Sequence, residues 1–394
     1  MIALAERHRP SGINTLFPGN PGTFSDYIDY CRNMIAQARH GASVHDMERI
    51  VEGNAPFELY PDAAARAGEK VPFRRGIVLV HGLSDSPYFM RHLGAFFQSQ
   101  GFRVMAVLLP GHGTRSGDLL GARWSEWRKA VAYGVDCLAR EAEQVYIGGY
   151  SAGGALSVLQ ALHDMRIRGL FLFAPALKIS GKARFANWHR AYSWACPRAK
   201  WLSIFPDTDR YKYESFPKYA AAQMYGLTQE VRKALAAASL DLPVFTVASR
   251  EDVTVDTSAT LAFMRGLRNP ASRIVYYHDG DSHLAGASLP QNCEAVCCAL
   301  PEQGILGSAH TAIVIPPEDG HYGATGEYRN CLHYLDEGGA RLRECEAVGG
   351  ANHVRLGEIT QANLAGGVVR RLMYNPLYPA LEGSMLKFIA DLPD

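Results

Sequence analysis

The stretch QVYIGGYSAGGAL, residues 144–156, decides the fold because a strand-like run meets a helix-like run at Ser151. A serine in so tight a strand-to-helix turn has a strained backbone, and its hydroxyl projects above the sheet. Small residues must flank it because the strand and the helix pass very close to each other. The stretch therefore predicts a strand, a sharp turn and a helix, with Ser151 presented at the turn.

Strand-like and helix-like runs alternate on both sides of this turn. The strand-like runs are short and apolar, as buried parallel strands are. They are GIVLVHG (76–82), FRVMAVLLPGHG (102–113), GLFLFAP (169–175), LPVFTVAS (242–249) and SRIVYYH (272–278). Apolar spacing predicts helices over 24–40, over 88–100, from Ser125 to about Glu143, and over 377–392. The alternation predicts an α/β fold, in which a mostly parallel central sheet carries helices on both faces.

Breaks in the alternation define the expected domain organisation. Residues 1–70 are expected to form a helical N-terminal extension. Residues 71–175 and 241–394 form the α/β core, with an irregular insertion over about 279–375 that is rich in Gly, His and Tyr. Residues 176–240 are polar, aromatic and helical, and we expect them to form a cap inserted between strands of the core.

The composition is that of an ordinary globular protein. Hydrophobic residues make up 47% of the 394 residues and charged residues 20%, which excludes disordered and fibrous proteins. The net charge of +1 argues against nucleic acid as the main partner, because phosphate binding requires a basic excess. No stretch approaches the ~20 apolar residues of a membrane helix. The polar run Glu6–Arg9 lies where a signal peptide would be apolar, so we expect a cytoplasmic protein.

The eight cysteines are spread along the chain, and we expect reduced, mostly buried thiols. The alternative is a set of disulfides in a periplasmic protein. Cys293, Cys297 and Cys298 lack the paired spacing of a zinc site. The sequence also has no GxxxxGK[ST] phosphate-binding loop. We therefore expect neither a metal nor an organic cofactor.

A second motif, HGLSDSP at residues 81–87, follows the strand that ends near Val80. Acyl transfer needs two backbone N–H groups that point at the developing oxyanion. The loop after such a strand supplies one of them, and the residue after the serine supplies the other. We therefore assign the oxyanion hole to the N–H groups of Leu83 and Ala152. His81 is expected to shape this loop as a buried histidine rather than to act as a base.

These motifs together resemble those of the α/β-hydrolases, and among them the group of monoacylglycerol lipases and carboxylesterases. The matching runs lie within about residues 76–283, to which the final helix is added. They are VLVHGLSDSPYFM (78–90), LLPGHGTRSGDL (108–119), WSEW (124–127), VYIGGYSAGG (145–154) and SREDVTVD (249–256). The resemblance implies the α/β-hydrolase fold and a nucleophilic serine, followed along the chain by an acid and then a histidine.

The acid is expected on the loop after the strand LPVFTVAS. There SREDVTVD resembles the D-x-x-V loop of the family, which selects Asp252; Glu251 and Asp256 are interpreted as solvated charges. The carboxylate is needed because it orients the histidine that removes the proton from the serine.

Two histidines are the main candidates for the base. His310 lies in GILGSAHTAIVI, whose Gly-Ser-Ala-His run resembles the G-S-G-H ending of the family. His283 directly follows the strand SRIVYYH, where simpler members of the family place their base. We favour His310 and keep His283 as the alternative. His112, His321, His333 and His353 are interpreted as loop or packing histidines.

The expected cap is rich in aromatic and basic side chains. Its aromatic residues favour a substrate with an apolar acyl or aryl group, and its basic residues would suit an anionic head group or peripheral contact with a membrane. Packing of the cap against the core is the alternative role for the same residues. They are Phe185, Trp188, Tyr192, Trp194 and Trp201, interleaved with Lys182, Arg184, Arg190, Arg198 and Lys200.

The sequence thus predicts a serine hydrolase that cleaves the carboxylic ester bond of a small-molecule substrate. Ser151 would attack the ester carbonyl, with His310 as base and Asp252 as its partner. Thioester hydrolysis, lysophospholipid hydrolysis and acyl transfer use the same groups and remain alternatives. A binding module that kept the fold without catalysis is the alternative from a different class.

Overall fold

The computed structural model describes residues 4–19, 21–41, 43–61, 73–191, 196–280, 289–336, 339–347 and 354–393. The chain divides into two compact units. We call Ile2–Phe171 with Ile179–Leu240 the N-terminal unit, and Leu172–Lys178 with Asp241–Asp394 the C-terminal unit.

The N-terminal unit is built on strands that follow one another in the order β1-β3-β2-β4-β5. Strand β2 pairs in parallel with β3 and β4, whereas β1 pairs antiparallel with β3. All of β3 and the second half of β2 are buried, as expected of strands covered on both faces. The strands are β1 (Phe57–Leu59), β2 (Phe73–Val80), β3 (Phe102–Val107), β4 (Ala142–Tyr150) and β5 (Ile167–Phe173), of which the last two residues belong to the C-terminal unit.

Helices surround these strands. They are α1 (Phe24–Ala38), α2 (Val44–Asn54), α3 (Arg91–Ser99), α4 (Trp124–Leu138), α5 (Ala152–Ala161) and α6 (Lys218–Ala237). Thr23 caps α1, and Tyr27 on that helix donates a hydrogen bond of 2.7 Å to the carbonyl oxygen of Leu108. The predicted first helix is therefore tied to the end of β3 by a buried hydrogen bond.

The predicted start of α4 at Ser125 is wrong by a short but informative margin. Trp124 is already helical, and its backbone N–H is satisfied by the side chain of Gln223 on α6 at 3.1 Å. A tertiary contact thus caps the helix in place of the local serine. The helix ends at Leu138 and β4 begins at Ala142, so the predicted helix end near Glu143 is also wrong.

The expected cap region contains less α-helix than its composition predicts. Its first part, Gly181–Ala191, is a run of 3-10 turns. Two short strands follow, β6 (Trp201–Ser203) and β7 (Phe216–Pro217), which pair antiparallel with each other. The long helix α6 completes the region. Whether this region acts as a cap remains a prediction.

The C-terminal unit has its own parallel strands, β8 (Val244–Ser249), β9 (Arg273–His278) and β10 (Cys293–Cys297). They pair in that order. Helix α7 (Thr257–Gly266) begins after Asp256, whose carboxylate accepts a hydrogen bond from the N–H of Ser258. Strand β10 is not among the predicted strands, because its residues CEAVC are mostly solvent-accessible and carry no buried alternation.

The region expected to be irregular contains small regular elements. They are helix α8 (Ala340–Glu346), strand β11 (Arg355–Gly357), helix α9 (Gln361–Ala365) and strand β12 (Val369–Arg371), followed by the final helix α10 (Tyr378–Ala390). Strands β11 and β12 pair in parallel. Two small hydrophobic clusters hold this region, which we call the C-terminal extension (residues 298–375). One contains Ile305, Ala309, Ala312 and Leu372, and the other Cys331, Tyr334, Cys345 and Val368.

The expectation of reduced thiols is wrong for one pair of cysteines. Cys331 and Cys345 form a disulfide in the C-terminal extension, where both side chains are buried in the second of these clusters. Cys31, Cys137 and Cys298 are buried free thiols, as expected, whereas Cys196 and Cys297 are exposed. Which cysteines form a disulfide depends on which of them are close in the folded chain, and their spacing in the sequence does not determine this.

We expect the Cys331→Ala/Cys345→Ala double variant to be less stable than the wild type. The cysteines are 14 residues apart in sequence, and closing a loop of about that length is worth about 3 kcal/mol of unfolding free energy. Urea unfolding with and without dithiothreitol measures the effect, and Cys196→Ala, which removes an exposed free thiol, is the control. If the reductant leaves the wild-type midpoint unchanged, the disulfide does not stabilise this chain.

The predicted fold class is confirmed. Strands alternate with helices, and the pairs β2–β3, β2–β4, β8–β9 and β9–β10 are all parallel. No helix in the described ranges is long and apolar enough to cross a membrane.

Candidate active site

Ser151 occupies the predicted sharp turn between β4 and α5. Its backbone angles are φ 54° and ψ −113°, which a residue with a side chain rarely adopts. A Cβ added to Gly149 would lie 2.3 Å from the carbonyl oxygen of Gly153, and one added to Gly153 would lie 2.1 Å from that of Val80. The glycines on either side of Ser151 are therefore required by close contact between the strands and the helix.

The loop after β2 lies directly against the serine. A Cβ added to Gly82 would be 3.2 Å from the Cβ of Ser151 and 2.3 Å from a carboxylate oxygen of Asp85. Leu83 follows Gly82, and Ala152 is the first residue of α5, where N–H groups lack intrahelical partners. Gly82, the neighbour of Leu83 in the chain, thus lies against Ser151, and Ala152 directly follows Ser151. The assignment of the oxyanion donors stays a prediction.

Residues 212 and 213 hold this loop in place, a role that the sequence analysis did not anticipate. Lys212 forms an ion pair with the buried carboxylate of Asp85 and donates a hydrogen bond of 3.1 Å to the Ser84 hydroxyl. The N–H of Tyr213 donates to the carbonyl oxygen of Ser84 at 2.8 Å. Ser84 itself has φ 68°, so these contacts stabilise a strained turn.

His81 is buried next to the loop, and both of its ring nitrogens lie close to backbone atoms. Its Nε2 accepts a hydrogen bond from the N–H of Leu109 at 3.1 Å, and its Nδ1 lies 2.8 Å from the carbonyl oxygen of Gly82. Burial and the neighbouring His112 hold the pKa of His81 well below its usual value, and burial lowers the pKa of His112 to about 4. Both rings are therefore neutral at pH 7, which supports the interpretation of His81 as part of the scaffold.

The C-terminal unit brings Asp252 and His310 together. Nδ1 of His310 lies 2.6 Å from Oδ2 of Asp252, and both side chains are buried. The N–H groups of Thr254 and Val255 donate to the other carboxylate oxygen at 2.8 and 3.0 Å. Burial alone would raise the pKa of Asp252, but the charge and hydrogen bond of His310 and these N–H groups outweigh it, so the pKa lies below its usual value.

This hydrogen bond determines what the histidine can do. Because Asp252 remains ionised at neutral pH, it holds the proton of His310 on Nδ1 and leaves Nε2 as the basic nitrogen. The loops that carry the two residues are joined by a hydrogen bond of 3.2 Å from the Ser249 hydroxyl to the carbonyl oxygen of Ser308. Asp252 and His310 thus form a preassembled acid–histidine pair.

The Gly-Ser-Ala-His run that marks His310 has a further reason for its glycine. A Cβ added to Gly307 would lie 1.7 Å from a carboxylate oxygen of Glu251. Glu251 is partly buried, and burial together with the charge of Asp279 raises its pKa to about 7. The interpretation of Glu251 as a solvated charge is therefore wrong, since it packs beside the histidine loop.

The remaining predicted histidines fall into two groups. His283 and His353 lie outside the described residues. His321 stacks on Tyr328, and His333 lies 3.0 Å from the carbonyl oxygen of Val369 through its Nε2, so both pack within the C-terminal extension. Within the described residues, no group of three or more His, Cys, Asp or Glu side chains is arranged to hold a metal ion.

Glu358 is a further residue next to His310 that the sequence analysis did not single out. Its buried carboxylate accepts a hydrogen bond from the backbone N–H of His310 at 3.0 Å. No sequence motif surrounds Glu358, and 48 residues separate it from His310.

Comparison with known proteins gives the family. Residues 72–283, more than half of the chain, match the family model described as serine aminopeptidase, S33. The chain is 31% identical over 104 residues to a thermostable monoacylglycerol lipase from Bacillus sp. strain H-257, an alignment that spans 26% of this chain and 42% of the lipase. It is 22% identical over 212 residues to a carboxylesterase from Bacillus subtilis, with 52% and 83% of the two chains aligned.

Solved structures of similar proteins include a monoacylglycerol lipase from Paleococcus ferrophilus, with a TM-score of 0.43 and 18% identity over 56% of this chain and 87% of that one. Another comes from work on the metagenome-derived lipolytic enzymes LipS and LipT, with a TM-score of 0.48 and 22% identity over 58% and 88% of the two chains. The family match begins and ends close to the limits of the predicted resemblance, 76–283. The protein therefore belongs to the serine aminopeptidase S33 family of α/β-hydrolases.

Proposed function

We propose that the protein is a serine hydrolase that cleaves carboxylic esters. Ser151 is the nucleophile, His310 the general base and Asp252 the carboxylate that orients it. The N–H groups of Leu83 and Ala152 form the oxyanion hole. The observation that carries the proposal is the buried 2.6 Å contact between His310 Nδ1 and Asp252, in a family whose nucleophile turn this chain carries intact at Ser151.

The reaction proceeds in two halves. Nε2 of His310 takes the proton of the Ser151 hydroxyl as its oxygen bonds to the ester carbonyl carbon, and the N–H groups of Leu83 and Ala152 stabilise the oxyanion. Collapse of this intermediate breaks the bond to the alcohol, which leaves with the proton from His310. Water then attacks the acyl-enzyme in the same way, the acid is released, and Ser151 regains its proton.

The choice of esters rests on the relatives, since fold and triad do not distinguish acyl chemistries. The names of the aligned proteins are monoacylglycerol lipase and carboxylesterase. Thioesters, lysophospholipids and acyl transfer remain alternatives, and the family description adds aminoacyl amides. A panel of p-nitrophenyl esters, monoacylglycerol, acyl-CoA, lysophosphatidylcholine and aminoacyl p-nitroanilides ranks them. If an acyl-CoA or an anilide is turned over faster than every ester, the ester proposal fails.

We further propose that the region 176–240 selects an apolar acyl group. Trp188 is 69% exposed and packs edge to face on Phe185 at 4.8 Å, and the guanidinium of Arg184 lies over Phe185. Trp201 does not belong to this set, because it is buried against His8. Tyr192 and Trp194 lie outside the described residues. The exposed aromatic pair with its flanking cations also suits contact with a membrane surface.

Replacement of Trp188 tests this selection. We expect Trp188→Ala to lower kcat/KM for long-chain p-nitrophenyl esters several-fold more than for the acetate, because the indole is already exposed and is free to contact a chain. Thermal stability should stay unchanged, since little packing is lost. Tyr30→Ala on α1, which removes another exposed aromatic ring, is the control. Equal losses on short and long esters would contradict the selection.

The cytoplasmic location stays a prediction. The disulfide between Cys331 and Cys345 argues for an oxidising compartment, where such bonds persist.

A further inference from the structure

The C-terminal extension contains Glu358, whose buried carboxylate contacts the backbone of His310. Glu358 lies between β11 and α9 and is fully buried. One of its oxygens accepts the backbone N–H of His310 at 3.0 Å, and the other accepts the N–H of Ile359 at 2.9 Å. A buried carboxylate is costly to desolvate unless it is paired, so its position implies a matched cation.

Arg371, on β12, is that cation. Its Nε lies 3.0 Å from one carboxylate oxygen of Glu358, and a terminal nitrogen lies 3.2 Å from the other. The hydrogen bond from the terminal nitrogen and the ion pair at Nε together hold the carboxylate beside the guanidinium. Glu358 is therefore held in one place, and with it the backbone of His310.

The same arginine also contacts the loop of the acid. A terminal nitrogen of Arg371 donates to the hydroxyl of Thr254 at 3.1 Å, and the N–H of Thr254 donates to Asp252 at 2.8 Å. The hydroxyl of Thr311, next to His310, donates to the carbonyl oxygen of Leu372, next to Arg371, at 2.8 Å. The Glu358–Arg371 ion pair thus contacts the histidine loop on one side and the acid loop on the other.

We propose that Glu358 and Arg371 are positioning residues, which fix the two loops of the Asp252–His310 pair so that the imidazole keeps its productive orientation. The inference rests on the proposed function of that pair as the catalytic acid and base. The inference gives the C-terminal extension a role. Glu358 and Arg371 lie 48 and 61 residues after His310 in the chain, and their ion pair holds the histidine loop in place.

Removing the carboxylate should lower kcat with little effect on KM. A displacement of a catalytic group by about 1 Å costs about 100-fold in rate, so we expect Glu358→Ala to lose about 10- to 100-fold in kcat. Glu358→Gln keeps an oxygen for the N–H of His310 but loses the charge that pairs with Arg371. We expect it to recover most of the kcat while its melting temperature stays below that of the wild type.

A matched control separates positioning from general loosening of the extension. Thr360 caps α9 two residues after Glu358, and its hydroxyl accepts a hydrogen bond of 3.1 Å from the N–H of Asn363 rather than from His310. Thr360→Ala should therefore lower the melting temperature by the loss of a cap and leave kcat unchanged. Arg371→Lys keeps the charge but loses the two-point contact, and we expect an intermediate kcat.

Hydrogen exchange at the backbone N–H of His310 gives a readout that does not depend on activity. We expect Glu358→Ala to increase exchange in the peptide that contains His310 by at least 10-fold, with Glu358→Gln and Thr360→Ala near the wild-type rate. Unchanged exchange and kcat in Glu358→Ala would overturn the inference, as would equal kcat losses in Glu358→Ala and Glu358→Gln. If Glu358→Ala does not fold, Glu358→Gln and Arg371→Lys decide: wild-type kcat in Arg371→Lys contradicts the positioning role.

The same data distinguish failure of the inference from failure of the proposed function. A wild-type protein that hydrolyses no ester and does not react with a fluorophosphonate removes the proposed function, and the catalytic part of the inference with it. An active wild type with an equally active Glu358→Ala variant removes the inference alone.

Discussion

Ser151→Ala is expected to abolish reaction with a fluorophosphonate probe and to lower kcat for p-nitrophenyl esters by about a million-fold, as loss of the nucleophile does in other serine hydrolases. The fold should be retained, because alanine occupies the turn between Gly149 and Gly153 with no larger side chain than serine. Circular dichroism and the melting temperature check that expectation, and gel fluorescence with kinetics measures the loss.

Ser157→Ala is the matched control, since Ser157 lies on the same buried helix and its hydroxyl donates a hydrogen bond of 2.7 Å to the carbonyl oxygen of Gly153. It should lose a buried hydrogen bond worth about 1 kcal/mol and keep full labelling. A wild type that does not react with the probe would contradict the enzyme proposal altogether. Labelling that persists in Ser151→Ala would place the nucleophile elsewhere in the chain.

The parts of the molecule that local sequence determines were predictable. The turn at Ser151 requires a strand, two glycines and a helix within about ten residues, so the run 144–156 contains all of its own causes. The buried strands β2 and β3 are continuous apolar runs for the same local reason. The family match over 72–283 is consistent with these motifs, which all lie inside it.

The parts that depend on distant contacts were not predictable. Helix α4 begins at Trp124, whose backbone N–H donates to the side chain of Gln223, 99 residues further along the chain. Glu358 and Arg371 resemble ordinary charged residues in the sequence. In the structure, Glu358 is fully buried against the backbone of His310, and Arg371 forms an ion pair with Glu358. The disulfide was missed because cysteine spacing does not give connectivity. Each of these features is set by tertiary packing rather than by a motif.

Substitution of His310 and of His283 distinguishes the two candidates for the general base. We expect His310→Ala to lower kcat by several powers of ten, because serine and histidine act as one unit and the loss of either removes nearly all of their joint contribution. His283→Ala should keep a substantial fraction of the activity, as substitution of a residue outside the catalytic machinery usually does. Steady-state kinetics on p-nitrophenyl acetate measures both, and circular dichroism confirms that the variants are folded.

The contact between His310 Nδ1 and Asp252 at 2.6 Å is what now favours His310, since a base needs a carboxylate to hold its proton on the other nitrogen. Asp252→Asn provides the linked control: it should lower kcat strongly by favouring the wrong imidazole tautomer, while Glu251→Gln, one residue away, should lower it far less. The assignment would be overturned if His283→Ala abolished ester turnover while His310→Ala remained active. In that case Ser151 would remain the nucleophile, and the Asp252–His310 hydrogen bond would be structural.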